Sequence, residues 1–359
     1  MAQLAVRRQA GVMTQIDRRA FLAAVGASAA VPSAACAGQS DAPAASAWTP
    51  KASLPWPVQE IYAAVDGGSI ITGGGLVARE GEPLHIEDRV AAYNPAADVW
   101  DALPSLPEPR HHPMFIADGF TLFVIGGYAR SEAGDWTNTT TVWMLYEGEW
   151  RRATALPSPQ AEAVGVATGQ VVHLIGGRTP GGAANGNWND QADTDRHLII
   201  HPGEEGWQVR RPLPMARNSA AAAVMDGVIW VAGGRTVSGG GTGRLDRYEP
   251  GEDRWDTLAP IPPSPATGQQ VGGGLAMAAA NGKLVAFGGE WFQRGAGGGV
   301  FTETWIYDPA ADRWDAGPDM RTPRHGLAAA AVDGVVYAIA GGEVVSGGRA
   351  GSVVEALAL

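Results

Sequence analysis

Short apolar runs separated by Gly, Pro, Asn and Asp fill most of this chain. In residues 312–342, a Trp is followed by a Pro-containing bend, a small-residue run, an Asp-Gly pair, a bulkier aliphatic run and Gly-Gly. Two apolar runs joined by Asp-Gly predict a tight β-hairpin. Beyond the N-terminal segment, no run of 12 or more residues has helical apolar spacing, so the pattern predicts an all-β chain.

Five other imperfect copies of this stretch make it a repeat, which fixes the architecture. A tryptophan marks each copy: Trp48, Trp100, Trp150, Trp207, Trp255 and Trp314. The hairpin turns are Asp66-Gly67, Asp118-Gly119, Thr168-Gly169, Asp226-Gly227, Asn281-Gly282 and Asp333-Gly334. The glycine pairs are Gly73-Gly74, Gly126-Gly127, Gly176-Gly177, Gly233-Gly234, Gly288-Gly289 and Gly341-Gly342. These pairs are 50 to 57 residues apart, which leaves no room for a seventh unit.

The runs before the hairpin turns are rich in small residues, as at 220–223 and 328–331. In a radial array of sheets the innermost strands converge on the axis, where large side chains would collide. The last unit lacks an outermost strand, whereas the first begins with an additional one. We therefore expect residues 48–54 to complete the last sheet and to close the ring.

This pattern resembles the Kelch repeat, which has a period of about 50 residues and four strands per propeller blade. The resemblance covers residues 48–359 and is to the exported bacterial type. It implies an all-β fold, a six-bladed Kelch β-propeller at residues 47–359, with four antiparallel strands per blade. The N-terminal strand is expected to lie in the last blade.

The N-terminal segment resembles a twin-arginine export signal, because the pair Arg18-Arg19 precedes the apolar residues 20–30. We expect a signal peptide at residues 1–37, a linker at 38–46, and a periplasmic or extracellular location. Cys36 is the only cysteine. Two alternatives remain open here: lipid attachment at Cys36, or cleavage after Ala37 without an anchor.

Charge argues against nucleic acid as a partner. Without residues 1–37, which contain four Arg and one Asp, the chain has 22 basic and 36 acidic residues, a net charge of −14. Nucleic-acid binding depends on neutralising phosphates, so we expect none. We expect a monomer whose partner is a small acidic or sugar-like ligand or another envelope protein.

Three arginines recur at intervals of 107 residues, Arg110, Arg217 and Arg324, each at the start of an innermost strand. They belong to alternate units, so they could surround one mouth of the axial channel. Guanidinium groups suit carboxylates, phosphates or sugar hydroxyls. The alternative is that these arginines belong to the repeat and hydrogen-bond within the scaffold.

The loops after the glycine pairs should open on the same face. They carry the second set of candidate residues: Tyr128, Arg178, Arg235, Glu290, Trp291 and Glu343. Arg, Glu and aromatic side chains together suit a saccharide or a small acidic molecule. Ordinary solvated loops would have the same composition.

Neither a metal nor a cofactor is expected from the sequence. His111 and His112 are adjacent, and adjacent strand residues point to opposite faces, so they should not share an ion. Galactose-oxidase-like copper enzymes, which the Kelch pattern also resembles, need a cysteine-crosslinked tyrosine. This chain has no cysteine after position 36.

The leading functional hypothesis is a binding module with an Arg-lined axial mouth. The alternative is a cofactor-free carbohydrate enzyme, because the six blades and the export signal are similar to those of the sialic-acid mutarotases. In that alternative Arg110, Arg217 and Arg324 hold the carboxylate of an acidic sugar. Glu290 or Glu343 would then transfer protons.

Overall fold

A computed structural model describes residues 47–77, 84–201, 203–293, 295 and 297–359. The predicted signal peptide, the linker at 38–46 and Cys36 lie outside the described residues. In the described part of the chain, regular structure is antiparallel β-strand apart from one short 3-10 helix, Trp188–Asp190. No helix there is long and apolar enough to span a membrane.

Six four-stranded antiparallel sheets form the blades. From the innermost strand outwards, blade 1 is β2 (Ala63–Asp66), β3 (Ser69–Gly73), β6 (Val90–Asn94) and β7 (Val99–Leu103), and blade 2 is β8 (Met114–Ala117), β9 (Leu122–Ile125), β12 (Val142–Tyr146) and β13 (Glu149–Arg152). Blade 3 is β14 (Val164–Thr168), β15 (Val171–Ile175), β18 (His197–Ile200) and β19 (Gln208–Val209), and blade 4 is β20 (Ala221–Met225), β21 (Val228–Ala232), β22 (Leu245–Glu249) and β23 (Arg254–Leu258). Blade 5 is β24 (Leu275–Ala280), β25 (Lys283–Gly288), β28 (Thr304–Asp308) and β29 (Arg313–Ala316), and blade 6 is β30 (Ala328–Val332), β31 (Val335–Gly342), β32 (Ala350–Ala358) and β1 (Thr49–Lys51).

Small hairpins extend four blades between their second and third strands. They are β4 (Leu76–Val77) with β5 (His85–Ile86), β10 (Tyr128–Ser131) with β11 (Gly134–Asn138), β16 (Arg178–Pro180) with β17 (Gln191–Asp193), and β26 (Glu290–Gln293) with β27 (Gly297–Val300). Each follows the glycine pair of its blade.

The innermost strands form a closed ring around the axis, because each contacts the innermost strand of the next blade and β2 contacts β30. Small side chains from all six strands, mainly Ala, line a cavity of about 290 Å³ along this axis. The small-residue runs therefore lie where the sequence predicts them, at the point where the blades converge.

Strand β1 closes the ring, as predicted. It pairs with β32 in the register Thr49↔Ala356 and Lys51↔Val354. The preceding Trp48 is 1% exposed, and its ring lies 5.0 Å from that of Phe287 in an edge-to-face contact. The first and last described strands thus belong to one blade.

Deletion of residues 47–54 is expected to lower the melting temperature sharply. Loss of a buried Trp side chain alone costs about 3–5 kcal/mol, and the deletion also exposes the edge of β32. Thermal unfolding of the deletion variant should be compared with that of a chain beginning at Ala47. Equal melting temperatures would contradict the closure.

The six repeat tryptophans join neighbouring blades. Each indole N–H donates to a backbone carbonyl that follows the outermost strand of the preceding blade: Trp48 to Pro318, Trp100 to Ala52, Trp150 to Pro104, Trp207 to Thr154, Trp255 to Arg211 and Trp314 to Ala259. These distances are 2.8 to 3.2 Å. The tryptophan of each repeat therefore links its blade to the preceding blade by a hydrogen bond.

Candidate ligand-binding site

Six tight bends, one before each innermost strand, encircle the axis of the propeller. Each contains one residue with a positive φ, between 48° and 70°: Glu60, His112, Glu162, Ser219, Gly274 and Gly326. Backbone hydrogen bonds connect them from blade to blade: Glu60 N to Gly326 O, His112 N to Glu60 O, Ser219 N to Glu162 O, Gly274 N to Ser219 O and Gly326 N to Gly274 O. We call these six residues the axial ring.

Four members of the axial ring have side chains although this left-handed conformation favours glycine. Each non-glycine residue there costs about 1–2 kcal/mol, and such strain is found mainly where a site uses the side chain. Gly326 makes room for one of them, since a Cβ on it would lie 2.7 Å from Cδ of Glu60. The axial ring is therefore the part of the repeat where side chains occupy a backbone conformation that favours glycine.

A second set of six residues lies against the axial ring, each directly after a pair of residues with positive φ in or just after a second strand. They are Leu76, Tyr128, Arg178, Arg235, Glu290 and Gly342. Bridges to the innermost bends join Tyr128 to His111 and Arg178 to Ala161. These loops thus open on the face of the innermost bends, as the sequence analysis expects.

Glu162 is a fully buried carboxylate with four partners. Its Oε1 accepts a hydrogen bond of 2.9 Å from the Tyr128 hydroxyl and lies 3.3 Å from Nε of Arg178. Its Oε2 accepts one of 2.6 Å from the Ser219 hydroxyl and lies 3.8 Å from Arg235. Burial opposes ionisation, but the two guanidinium groups and His112 lower the pKa of Glu162 to about 2. Glu162 is therefore ionised.

Arg235 bridges the carboxylates of this network. Its Nη1 lies 2.6 Å from Oε1 of Glu290, whose Oε2 accepts a 2.8 Å hydrogen bond from the backbone N–H of Ser346. Burial alone would lower the pKa of Arg235, but Glu162, Glu290 and Glu60 raise it. With 20% of its side chain exposed, Arg235 can also reach a ligand.

His111, His112 and Glu60 form a hydrogen-bonded chain. The two Nδ1 atoms of the histidines are 2.9 Å apart, and Nε2 of His112 lies 2.9 Å from Oε2 of Glu60. Burial and the charge of His112 lower the pKa of His111 to about 3. The expectation that these two side chains point to opposite faces is wrong, because φ of +53° at His112 takes the residue out of the strand conformation.

His325 places an unused nitrogen between two carboxylates. Its side chain is 1% exposed, and its Nδ1 has no hydrogen-bond partner. That atom lies 3.6 Å from Oε1 of Glu60 and 3.7 Å from Oε2 of Glu290. Its Nε2 is 2.9 Å from the carbonyls of Val344 and Ser346.

Aromatic side chains and these charged residues together line a pocket of about 520 Å³. We call it the mouth pocket. Its titratable residues are Glu60, His112, Glu162, Arg235 and Glu290, and Trp136, Trp188 and Phe292 supply large aromatic rings. The aromatic residues come from β11, the 3-10 helix and β26, so the small hairpins supply the walls.

Arg110, Arg217 and Arg324 do not surround the mouth, which corrects the expected Arg-lined mouth. Each is at most 1% exposed and bonds to carbonyls of its own blade: Arg110 to Gly126, Arg217 to Gly233 and Val231, and Arg324 to Thr322 and Ala338. Arg217 and Arg324 also pair with the buried Asp246 and Glu355 at 2.9 and 3.1 Å. Arg235 is the arginine that lines the mouth pocket in the described structure.

Glu343 and Trp291 also lie outside the mouth pocket. In blade 6 the left-handed pair is Ala340-Gly341, so Gly342 takes the ring-facing position and Glu343 pairs with Arg349 at 3.5 Å. A Cβ at Gly342 would lie 2.1 Å from Oε1 of Gln59, so a side chain there would displace Gln59. Trp291 follows Glu290 on β26, points to the other face of the strand and packs with the hydrophobic core.

The remaining predicted residues meet at the axis. Tyr128 and Arg178 are 0% exposed beside Glu162, while Arg235 and Glu290 line the mouth pocket. Sequence reasoning missed Glu60 and Glu162. Aligned copies do contain a signal, because blades 5 and 6 have Gly274 and Gly326 where the others have larger residues.

In the described part of the chain, no group of three or more His, Cys, Asp or Glu side chains is arranged to hold a metal ion. The clustered carboxylates and histidines of the mouth pocket instead bond to one another and to arginines.

Known proteins share the repeat. The Kelch motif matches residues 216–262 and 272–321. Kelch-like protein terF of Aspergillus terreus is 26% identical over 309 residues, covering 84% of this chain and 64% of that protein. Kelch-like protein 34 of Homo sapiens is 27% identical, covering 60% of this chain and 33% of that protein. Beta-scruin of Limulus polyphemus is 24% identical over 76% of this chain and 29% of that protein. The chain thus spans 64% or less of the length of these relatives.

The solved structure of YjhT is similar to 84% of this chain and matches over 95% of its own length, with a TM-score of 0.70 at 16% identity. At this identity the likeness concerns the fold. Matching motifs in blades 4 and 5, six four-stranded blades and the repeat tryptophans agree with one another. This chain is a Kelch-repeat six-bladed β-propeller.

Proposed function

We propose that the propeller is a binding module whose mouth pocket takes a small neutral ligand with ring hydroxyls, of the saccharide class. The supporting observation is that three carboxylates and one arginine lie together with three aromatic side chains around one pocket. Charged groups bond hydroxyls strongly, and aromatic faces cover the apolar side of a sugar ring. The size of the pocket also suits a small ligand.

Charge favours a neutral ligand over the acidic one expected from the sequence. The lining contains three carboxylates, Glu60, Glu162 and Glu290, against one arginine, Arg235. Both charged partners of Arg235 are already in place, with Glu290 at 2.6 Å. An anionic sugar would meet like charges here, and such contacts reduce affinity.

Export of this module through residues 1–37 is part of the proposal. Its support is the arginine pair before the apolar run. Function in the periplasm or outside the cell, with or without lipid at Cys36, would follow.

Binding should be measured by thermal shift and calorimetry with neutral hexoses and N-acetylhexosamines, compared with uronic and sialic acids. We expect neutral sugars to stabilise the protein. Glu60→Gln should weaken binding by about 1.5–3 kcal/mol, the contribution of a hydrogen bond to a charged group. Phe292→Ala, at a side chain that is 53% exposed, should weaken binding without affecting the fold.

Glu343→Gln is the matched control, because Glu343 lies outside the mouth pocket and should leave binding unchanged. Absence of any response to sugars would contradict the proposal. A response confined to acidic sugars would contradict the charge argument.

A cofactor-free sugar mutarotase is the second candidate, favoured by the position of His325. Ring opening needs one group to remove the proton of the anomeric hydroxyl and another to protonate the ring oxygen as its bond to the anomeric carbon breaks. Nδ1 of His325, between Glu60 and Glu290 at 3.6 and 3.7 Å, offers acid and base groups close together. The binding module and the mutarotase would bind the same class of ligand, but only the mutarotase would interconvert its anomers.

Exchange spectroscopy by NMR on an anomeric mixture distinguishes the two candidates. Acceleration by the wild type that is lost in Glu290→Gln, with sugar binding retained, would establish the enzyme. Binding without acceleration would exclude it and leave the binding module.

A further inference from the structure

Three blades place a tyrosine at the same point of the third strand, facing the repeat tryptophan. The pairs are Tyr93↔Trp100, Tyr248↔Trp255 and Tyr307↔Trp314. Each hydroxyl donates to an aspartate two residues before the tryptophan: Tyr93 to Asp98, Tyr248 to Asp253 and Tyr307 to Asp312. The tyrosine is thus held by an aromatic neighbour and a carboxylate.

These tyrosine rings pack in the interface with the preceding blade, which we call the joint between the two blades. Tyr93 lies 5.7 Å from Tyr337 of blade 6, and Tyr307 lies 5.8 Å from Trp230 of blade 4. Tyr248 lies 4.6 Å from His197 of blade 3. All three tyrosines are at most 1% exposed.

Blade 3 has Ile200 at this point. Ile200 pairs with Val172 on the second strand as Tyr93 pairs with Ile70, and the register of β18 with β19 places it opposite Trp207. An isoleucine side chain has neither an aromatic ring nor a hydroxyl. The joint between blades 2 and 3 therefore lacks the ring that fills the three joints above.

A cavity of about 380 Å³ lies at this joint. Ile200, Trp207 and Val172 line it from blade 3, and Phe123 and Met144 line it from blade 2. The titratable residues in its lining are His201, Glu204 and Glu205. Glu205 stands two residues before Trp207, the place that aspartate has in the three blades with the tyrosine.

We propose that this cavity binds a small molecule carrying a phenol ring. The ring would take the place of the missing tyrosine between Trp207 and the apolar side chains of blade 2, and its hydroxyl would donate to Glu205. This site is separate from the mouth pocket, since none of its lining residues belongs to that pocket. The proposal therefore does not depend on the proposed function.

Titration of the full chain with 4-methylphenol, followed by NMR of 13C-labelled methionine methyl groups, tests the proposal. Met144 lines the cavity, so its signal, assigned with Met144→Leu, should shift in a saturable manner. Ile200→Tyr fills the cavity from within and should abolish that shift while raising the melting temperature. An unchanged Met144 signal, or a shift that persists in folded Ile200→Tyr, would overturn the proposal.

Glu205→Gln provides a second test that keeps the fold, because Glu205 is exposed. Toluene has the same ring and methyl group without the hydroxyl. The wild type should bind 4-methylphenol more tightly than toluene, and Glu205→Gln should reduce that preference while toluene binding stays unchanged. An undiminished preference in Glu205→Gln would overturn the assigned hydroxyl contact.

Discussion

Glu162→Gln is expected to destabilise the propeller by about 3–5 kcal/mol, because the substitution leaves a buried charge without its counterion. Arg178 is 0% exposed and lies 3.3 Å from the Glu162 carboxylate. A glutamine keeps the size of the side chain but removes the charge. Chemical denaturation at neutral pH measures the difference in the free energy of unfolding.

Glu149→Gln is the matched control. Glu149 is 75% exposed and 3.5 Å from Arg151, so its loss should cost less than about 1 kcal/mol. The pKa of Glu162 is lowered from 4.5 to about 2, so its contribution is complete above pH 4.5 and is lost as pH falls towards 2. Glu162→Gln should remove that part of the acid dependence. Equal stabilities of Glu162→Gln and wild type would contradict the network.

Arg217→Ala should also cost about 3–5 kcal/mol, by leaving Asp246 buried with fewer partners, and should leave sugar binding unchanged. Both side chains are 0% exposed and 2.9 Å apart. Arg217 also donates to the carbonyls of Gly233 and Val231. Chemical denaturation and sugar titrations of the same variant separate an effect on stability from an effect on binding.

Arg313→Ala is the control for this variant, because Arg313 is 67% exposed and its pair with Asp315 should contribute less than about 1 kcal/mol. If Arg217→Ala kept wild-type stability but lost sugar binding, Arg217 would have to belong to the ligand site. The same pair of measurements applies to Arg324.

The blades could be predicted because their signals are local and repeated. Asp333-Gly334 alone predicts one turn, but six such pairs at similar spacing predict six hairpins. Closure by β1 followed from counting strands, since Trp48 had no partner in its own unit. Each of these features needs only the order of residues along the chain.

The site was harder to predict for two reasons. A shift of one residue in a loop changes which side chain faces the axis, and the side chains that come together belong to different blades. Shifting the left-handed pair to Ala340-Gly341 moves Glu343 out of the ring position and leaves Gly342 in it. Glu60 meets His112 and His325 across two blade boundaries. No pattern within one repeat contains that information, although the glycines at 274 and 326 mark the position.

Ring closure has a consequence for the order of assembly. The bond from Thr49 to Ala356 joins residues 307 positions apart, so blade 6 cannot form until nearly the whole chain is present. Glu60 of blade 1 bonds to Gly326 of blade 6 at the same seam. Contacts of such long range form slowly because the intervening chain must first be ordered. A ligand in the mouth pocket would contact both blade 1 and blade 6. Its concentration would then shift the equilibrium between the closed ring and a ring opened between these two blades.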